Sequence, residues 1–289
     1  MIPADSLSQV RELMRRYDFM PRKKYGQNFL VDRNILNKIA SSCRNNLGDY
    51  IVEIGPGMGG LTTRLAHYGI GVLAVDIDSD LQGVLDEVLA EYNNVKVLFA
   101  DILKIDMEKE LCQAFALDRP VSYQVCANIP YNITTPIIFY LLERCPHLIS
   151  ATLMMQKEVA QRIMAKPGTK EYGLLTLMTS YYSHCELLMH VSRNCFYPRP
   201  EVDSTVLKLT PRPPKIKVKN ENYFKAFMRA AFQKRRKTIL NICTDFTGQD
   251  KKQIQGWLEQ WGISPLARPE NLLLEDFAFL ADHLSVQEV

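Results

Sequence analysis

The sequence predicts an α/β fold with a mostly parallel sheet, followed by a smaller helical domain. Short apolar runs typical of buried strands recur between helical patterns in the first two thirds of the 289 residues. A glycine-rich turn follows the first of these strands, and the last third of the chain is helical in pattern. Sheets of this kind bind ligands at the carboxyl ends of their strands, so the residues there are the first candidates for function.

Composition limits the classes of protein to consider. Apolar residues make up 47% and charged residues 23%, as in ordinary globular proteins, and no apolar run is long enough to span a membrane. The seven cysteines are scattered without a Cys-x-x-Cys pair and the five histidines are isolated, so we expect reduced thiols, a cytoplasmic location and no metal site. The net charge is only +3, so any nucleic-acid site must depend on where the charges lie.

The N-terminal region, residues 1–45, combines helices with a basic loop. Residues 5–17 form an amphipathic pattern, and a second helix is predicted from Asn34 to Arg44. Three adjacent cations precede the polar pair Gln27 and Asn28: Arg22, Lys23 and Lys24. Such a cluster is more often a solvated face than a site, although the polar pair beside it could contact a ligand.

Three successive strands end in residues suited to a nucleoside. Strand 51–54 runs into Gly55-Pro56-Gly57-Met58-Gly59-Gly60 and a helix predicted over residues 61–68, whose N-terminus favours electron-rich groups. Strand 71–75 ends at Asp76, where folds of this type carry a carboxylate for ribose hydroxyls. Strand 95–100 ends at Asp101, a candidate partner for an adenine amine.

The same glycines satisfy the G-x-G-x-x-G pattern of dinucleotide-binding proteins, so a nicotinamide dehydrogenase is an alternative on this segment. That alternative explains neither the basic residues nor the end of the next strand, and the chain lacks an evident proton-relay histidine beside a strand end.

The fourth strand, residues 121–127, ends in Asn128-Ile129-Pro130-Tyr131. Asn128 offers an amide oxygen, and Pro130 favours an extended Ile129 whose carbonyl can point outward. Tyr131 offers a flat face for stacking. Two acceptors and an aromatic face suit the exocyclic amine of a nucleobase, although a strand end followed by a turn with a packed tyrosine explains the four residues equally well.

A proline-stiffened loop, residues 196–203, follows a strand predicted at 151–156, helices at 157–164 and 173–184, and a strand at 186–192. Phe196 and its neighbour Tyr197 could pack inward or form the wall of a base pocket, and Arg199 favours the second interpretation. After strand 204–209, Thr210-Pro211-Arg212-Pro213-Pro214 marks a boundary between a catalytic domain of residues 1–210 and a C-terminal domain of residues 211–289.

The C-terminal domain is predicted to be helical at 221–232, 237–243, 249–261 and 275–283. From Lys208 to Lys237 there are eleven Lys or Arg residues and one acidic residue, Glu221. Scattered lysines usually form a solvated helix face, but the run Lys234, Arg235, Arg236 and Lys237 indicates a contact with the phosphate backbone of a nucleic acid.

Five motifs together resemble the ribosomal-RNA adenine N6-dimethyltransferase family, in its bacterial small-subunit branch, over nearly the whole chain. They are Lys24–Leu30, Glu53–Gly57, Asn128–Tyr131, Phe196–Pro200 with Val202 and Ser204, and Phe232–Thr238. The resemblance implies a Rossmann-like, class I S-adenosylmethionine-dependent methyltransferase domain with a seven-stranded sheet and a small all-α C-terminal domain. It implies dimethylation of two adjacent adenosines in the hairpin near the 3′ end of 16S rRNA, within the small ribosomal subunit or its assembly intermediate.

The resemblance also implies residue roles. Asn28 and Leu30 would contact the methionine end of the cofactor, Gly55 would let it approach, Asp76 would hold the ribose and Asp101 the adenine. Asn128 would contact the cofactor and, with Ile129 and Pro130, position the target amine, while Tyr131 and Phe196 would stack on the flipped base. Arg22, Lys23, Lys24 and the run 234–237 would contact RNA. Position 76 is usually Glu in this family, and Asp76 is one methylene shorter.

Two alternatives stay open within this interpretation. One is the large-subunit 23S rRNA methyltransferase of the macrolide-resistance type, which shares the catalytic motifs but for which the long C-terminal domain is not expected. The other is a non-catalytic ribosome-assembly factor that binds precursor rRNA. We expect a monomer with neither a membrane nor a metal partner.

Overall fold

The computed structural model of the protein describes residues 3–43 and 49–285, and the backbone but not the side chain of Lys23. The chain divides into two compact units. The first comprises Met1–Ala160 with His184–Pro211, and the second comprises Gln161–Ser183 with Arg212–Val289. The sequence-based division at residue 210 had placed Gln161–Ser183 in the first domain. In the structure this segment packs with the helices of the second unit, for example through the Tyr181 and Phe224 rings, 5.1 Å apart.

The first unit is built on seven strands in the order β4-β3-β2-β5-β6-β9-β7, and a separate two-stranded sheet pairs β1 with β8. The strands are β1 (Phe29–Leu30), β2 (Tyr50–Ile54), β3 (Gly71–Asp76), β4 (Val95–Phe99), β5 (Tyr123–Asn128), β6 (Leu148–Gln156), β7 (Ser183–Val191), β8 (Phe196–Tyr197) and β9 (Ser204–Pro211). Five strands from β4 to β6 pair in parallel, and β9 pairs with β6 antiparallel. The predicted α/β fold with a seven-stranded, mostly parallel sheet and a helical C-terminal region is confirmed.

Strand register places the candidate residues at one level of the sheet. Ile54 on β2 lies opposite Val75 on β3 and Ala127 on β5. The next residues along these strands, Gly55, Asp76 and Asn128, therefore stand in one row at the carboxyl edge. The central strands are apolar because both faces of a parallel sheet are covered, and β3 is buried along its whole length.

Helices of the first unit are α1 (Leu7–Arg16), α2 (Arg33–Ser41), α3 (Thr62–Leu65), α4 (Gln82–Val88), α5 (Met107–Ala114), α6 (Thr134–Arg144) and α7 (Lys157–Ile163), the last of which crosses the unit boundary. Asp32 caps α2, accepting hydrogen bonds from the backbone N–H groups of Asn34 and Ile35. The predicted end of this helix at Arg44 lies outside the described residues. The helix predicted over residues 61–68 is a single turn, α3, followed by a turn at residues 66–68.

Helices of the second unit are α8 (Leu174–Tyr182), α9 (Glu221–Gln233), α10 (Ile239–Thr247), α11 (Lys251–Gln260) and α12 (Leu274–Leu284). Its core is aromatic: Phe224, Phe227 and Phe277 are fully buried. The helix predicted over residues 173–184 ends at Tyr182 as α8. The strand after it, β7, therefore begins at Ser183, earlier than the predicted residue 186.

Candidate functional site

A cleft opens at the carboxyl edge of β2, β3 and β5. Its lining residues lie at 25–30, 53–58, 60–61, 75–77, 100–102, 128–131 and 133, joined by Ala4, Val10, Leu36, Ile39 and Met154. All six predicted cofactor residues line it: Asn28, Leu30, Gly55, Asp76, Asp101 and Asn128. Four of the five predicted catalytic residues do too, from Asn128 to Tyr131. Positions far apart in sequence thus meet in one place, as expected for a ligand site of this fold.

The loop after β2 keeps its backbone close to the cleft. Gly55 has φ +74° and Gly57 has φ +56°, left-handed values that favour glycine. A Cβ on Gly57 would lie 2.9 Å from the Phe29 ring, whereas one on Gly55 would meet nothing nearer than 3.7 Å. Space beside Gly55 is therefore open for a ligand to approach the main chain.

Asp76 is held by backbone donors at the end of β3. Its carboxylate accepts hydrogen bonds from Gly57 N–H at 3.2 Å and Asp78 N–H at 2.9 Å. Burial raises the pKa of Asp76 to about 6, although the backbone hydrogen bonds oppose the rise. The glycine loop and the predicted ribose carboxylate are thereby fixed relative to each other.

Glu53, which was given no role from the sequence, is the most perturbed carboxyl of the cleft. It is 1% exposed, and its Oε2 atom has no hydrogen-bond partner in the described part of the chain. Burial raises the pKa of Glu53 to about 8, with the charges of Asp76 and Cys43 adding to the rise and the Thr62 hydroxyl opposing it. A carboxyl in the middle of the apolar strand Ile51–Ile54 was the sequence signal that could have identified it.

Asp101 lies beyond β4 and is more exposed than the other two carboxylates. Its Oδ1 accepts the Leu103 N–H at 3.1 Å and its Oδ2 lies 3.4 Å from the Lys104 ammonium. Each carboxylate oxygen can accept further hydrogen bonds, so an adenine amine at the cleft has an acceptor here.

The Asn128 side chain has a fixed orientation. Its Nδ2 donates to the Asn28 carbonyl at 3.0 Å, a contact that joins residues 100 positions apart. The amide oxygen Oδ1 accepts no hydrogen bond within residues 3–43 and 49–285, and the residue lines the cleft. The neighbouring Ile129 donates its N–H to Met154 at 3.0 Å, while its own carbonyl is unpaired in the same ranges. Two acceptors are therefore left beside each other at the cleft.

Tyr131 follows these acceptors and is half-buried. Its hydroxyl is 2.7 Å from the Ser204 hydroxyl on β9, which fixes the direction of the ring. Burial raises the pKa of Tyr131 above its ordinary value, so the phenol is neutral at physiological pH. The ring lines the cleft as a candidate stacking face.

Phe196 takes the inward-packing one of the two positions that the sequence left open. Its ring is 4% exposed and lies in a hydrophobic cluster with Leu30, Leu36 and Val206, and it does not line the cleft. The cause is β8, which pairs with β1 and sets Phe196 opposite Leu30, facing the core. Phe196 therefore packs inward in this structure, and its stacking on a flipped base stays a prediction.

The basic N-terminal loop is also less free than expected. Arg22 pairs with Asp80 and, at 2.9 Å, with Asp78, which is 1% exposed. Gln27 donates to the same Asp78 at 2.8 Å, so Arg22 serves to anchor the loop. Lys24 stays exposed, with its ammonium 4.4 Å from the centre of the Tyr25 ring. The Lys23 side chain lies outside the described part.

The second basic cluster, residues 234–237, is exposed at a turn after α9. The Lys234 and Lys237 ammoniums both lie 2.9 Å from the Asp245 carboxylate, and their hydrogen bonds lower the pKa of Asp245 to about 2. Arg235 donates to the Lys170 and Tyr172 carbonyls. Arg236 has no partner among the residues that the structure describes. The cluster therefore keeps a positive surface, but Arg235 contributes to the fold of its unit.

Neither a metal nor a membrane site emerges from residues 3–43 and 49–285. Within them, His, Cys, Asp and Glu side chains form no group of three or more that could hold a metal ion. The helices in these ranges are too short or too polar to cross a membrane.

Comparison with known proteins agrees with this arrangement. The family model described as ribosomal RNA adenine dimethylase matches residues 19–283. Ribosomal RNA small subunit methyltransferase A of Anoxybacillus flavithermus is 42% identical over 282 residues, which cover 96% of this chain and 95% of that protein. Among solved structures, a dimethyladenosine transferase from Plasmodium falciparum superposes with a TM-score of 0.68 at 27% identity, covering 88% of this chain and 96% of that one. The 23S rRNA methyltransferase ErmE gives a TM-score of 0.66 at 26% identity, covering 89% and 99%. Because the family model spans most of the chain and the curated relative nearly all of it, this protein belongs to the ribosomal RNA adenine dimethylase family and is an S-adenosylmethionine-dependent methyltransferase.

Proposed function

We propose that the protein dimethylates the N6 amines of two adjacent adenosines in the hairpin near the 3′ end of 16S rRNA. The observation that carries the proposal is the pair of unpaired acceptors, Asn128 Oδ1 and the Ile129 carbonyl, beside Tyr131 at the cleft. An exocyclic amine has two N–H donors and a flat ring, which matches this set. A flipped base can present both to a protein pocket.

S-adenosylmethionine fits the remaining part of the cleft. Its ammonium group would find the buried Glu53 Oε2, which otherwise lacks a partner. Gly55 leaves room at the backbone, and the carboxylates of Asp76 and Asp101 offer acceptors for ribose hydroxyls and an adenine amine. When bound, the cofactor supplies a methyl group on a positively charged sulfur.

The protein's own residues would then act by position rather than by strong base catalysis. Accepting hydrogen bonds from both N–H groups, at Asn128 Oδ1 and the Ile129 carbonyl, favours a pyramidal nitrogen whose lone pair is available to attack the methyl group. As the nitrogen–methyl bond forms, the sulfur–methyl bond would break, and the alkylated nitrogen, now acidic, would lose its proton to water without a strong base. The Asn28 carbonyl holds the amide so that its oxygen, not its nitrogen, faces the amine. Tyr131 would supply roughly 1–3 kcal/mol by stacking, comparable to the few kcal/mol that base extrusion costs.

The small subunit is favoured over the large one by the degree of similarity. The chain is 42% identical to a protein named for the small subunit and 26% identical to ErmE, named for 23S rRNA. The exposed basic cluster at 234–237 would contact rRNA phosphates away from the target base, which positions the enzyme without reading sequence. We propose that it acts in the cytoplasm as a monomer on an assembly intermediate of the small subunit.

Methylation in vitro tests the proposal. Purified protein and labelled S-adenosylmethionine would be incubated with naked 16S rRNA, immature small-subunit particles and 23S rRNA, and modified adenosines located by mass spectrometry of RNA fragments. We expect N6,N6-dimethyladenosine at two adjacent positions near the 3′ end of 16S rRNA, with the particle as the better substrate. Modification of 23S rRNA alone would favour the large-subunit alternative. Binding without methylation would favour an assembly factor.

A further inference from the structure

The segment before the first helix, Pro3–Ser6, lies against the cleft. Ala4 is 2% exposed and lines the cleft together with the fully buried Val10 of α1. Ser6 forms an isolated antiparallel bridge with Asp32, close to β1 and its cofactor candidates. The family model begins only at residue 19, so this wall of the cleft lies outside the region that the model describes.

Gly60 makes room for this segment. A Cβ on Gly60 would lie 2.3 Å from the Ala4 carbonyl oxygen, far below any ordinary contact. The φ angle of Gly60 is not left-handed, so its backbone conformation would accept alanine. The third glycine of the G-x-G-x-x-G pattern is thus required by the passage of the N-terminal segment across the glycine loop.

Asp5 fastens the segment electrostatically. It is 4% exposed and accepts hydrogen bonds from Arg33 Nε at 3.0 Å, Arg33 Nη2 at 3.1 Å and Arg64 Nη2 at 2.5 Å. Arg64 also donates to the Gly60 carbonyl at 2.6 Å, which joins the carboxylate to the glycine loop. Burial raises the pKa of Asp5, but the two guanidiniums outweigh it and hold that pKa below its usual value. Asp5 is therefore ionised at neutral pH, and Asp5, Arg33 and Arg64 together form a charged clamp on the segment.

We propose that Pro3–Ser6 is a working part of the cofactor site, a strap that retains S-adenosylmethionine, with Asp5 as its positioning residue and Gly60 as its seat. This inference rests on the proposed placement of the cofactor in the cleft. Neither Asp5 nor Gly60 is near the two acceptors at Asn128 and Ile129 in sequence, and neither bears a group for methyl transfer. Loosening the strap should therefore change cofactor affinity and release, and leave the turnover at saturating cofactor nearly unchanged.

The test measures S-adenosylhomocysteine binding by calorimetry, its release by stopped flow, and KM and kcat with S-adenosylmethionine. The variants are Asp5→Asn, Gly60→Ala and the double change, with Glu12→Gln as the matched control because it removes an exposed ion pair with Arg15 on α1. If either change opens the strap fully, and the open cleft binds the cofactor about tenfold more weakly than the closed one, Kd and KM rise about tenfold. The double variant should be no weaker than the single ones, since both release the same segment.

Three results separate the possibilities. Binding by Asp5→Asn and Gly60→Ala equal to that of Glu12→Gln overturns the inference, and so does full additivity of the two changes, because Gly60 would then act independently of the strap. Should Asp5→Asn fail to fold, Arg33→Ala, at a side chain 62% exposed, weakens the same clamp from the surface. An Asp76→Ala variant that binds cofactor normally would instead show that the cofactor lies elsewhere, and the proposed site itself would fail.

Discussion

Replacing Glu53 by Gln should flatten the dependence of stability on pH. Burial sets the pKa of this carboxyl to about 8 in the folded protein, against 4.5 as its ordinary value. Between these two values the unfolded chain is ionised while the folded one is protonated, so unfolding releases a proton and stability falls as pH rises. One proton corresponds to about 1.4 kcal/mol per pH unit, or roughly 5 kcal/mol over the whole interval.

The measurement is urea-induced unfolding of the cofactor-free protein at pH 5.5, 6.5 and 7.5. Over these two units the wild type should lose about 3 kcal/mol more than Glu53→Gln. Asp76, with a pKa raised to about 6, titrates in both proteins and largely cancels from the comparison. Parallel curves for the two proteins would refute the reasoning, because they would mean that Glu53 is ionised in the folded state.

Cofactor binding gives a second measurement on the same pair. The cofactor's ammonium favours the ionised carboxylate, so binding at pH 7 should release close to one proton in the wild type and none from this position in Glu53→Gln. Calorimetry in two buffers with different ionisation enthalpies reports that difference. Equal proton release by both proteins would place the ammonium elsewhere.

Three further predictions concern catalysis and RNA. Asn128→Ala should abolish transfer of labelled methyl groups while affinity for rRNA, dominated by phosphate contacts, stays near normal; appreciable methylation by the variant would contradict the assigned role. Tyr131→Ala should lower kcat/KM for rRNA by about tenfold to a hundredfold, because it loses roughly 1–3 kcal/mol of stacking. Tyr131→Phe loses only the contact with Ser204 and should stay near wild type. Equal losses in both variants would assign the role to the hydroxyl group. Replacing Lys234, Arg236 and Lys237 with Ala, while keeping Arg235 for the fold, should reduce the salt dependence of rRNA binding by up to about three phosphate contacts. The affinity would be measured over a range of salt concentrations, with the double variant Lys251→Ala/Lys252→Ala on α11 as the control. Identical salt slopes for the two variants would show that the cluster does not contact the RNA.

The part of the site that could be predicted from sequence is the part fixed by strand ends. A parallel strand brings whatever follows it to the carboxyl edge, so Gly55, Asp76 and Asn128 were predictable from apolar runs alone. The fold class followed from the same periodicity. Assignment of the target base still needed the combination of Asn128 with Tyr131, because the glycine pattern by itself suits dinucleotides equally well.

The features that local sequence patterns do not show depend on partners distant in sequence. Phe196 is buried because β8 pairs with β1, more than 160 positions earlier, and no local pattern shows that pairing. Arg22 forms an ion pair with the buried carboxylate of Asp78, so the cations of a basic loop cannot be assigned to RNA before their internal partners are known. The contact of Ala4 with Gly60 is likewise invisible without coordinates.

The single row formed by Gly55, Asp76 and Asn128 has a consequence for where this chain can change length. A strand advances about 3.3 Å per residue with side chains on alternating faces, so one inserted residue in β2, β3 or β5 would move its group by that distance and turn it to the opposite face. The turns at the other end of the strands carry no such constraint, since added residues there loop out before the register begins. Residues 116–122, largely exposed between α5 and β5, are therefore a suitable place to graft a peptide or a fluorescent reporter without disturbing catalysis.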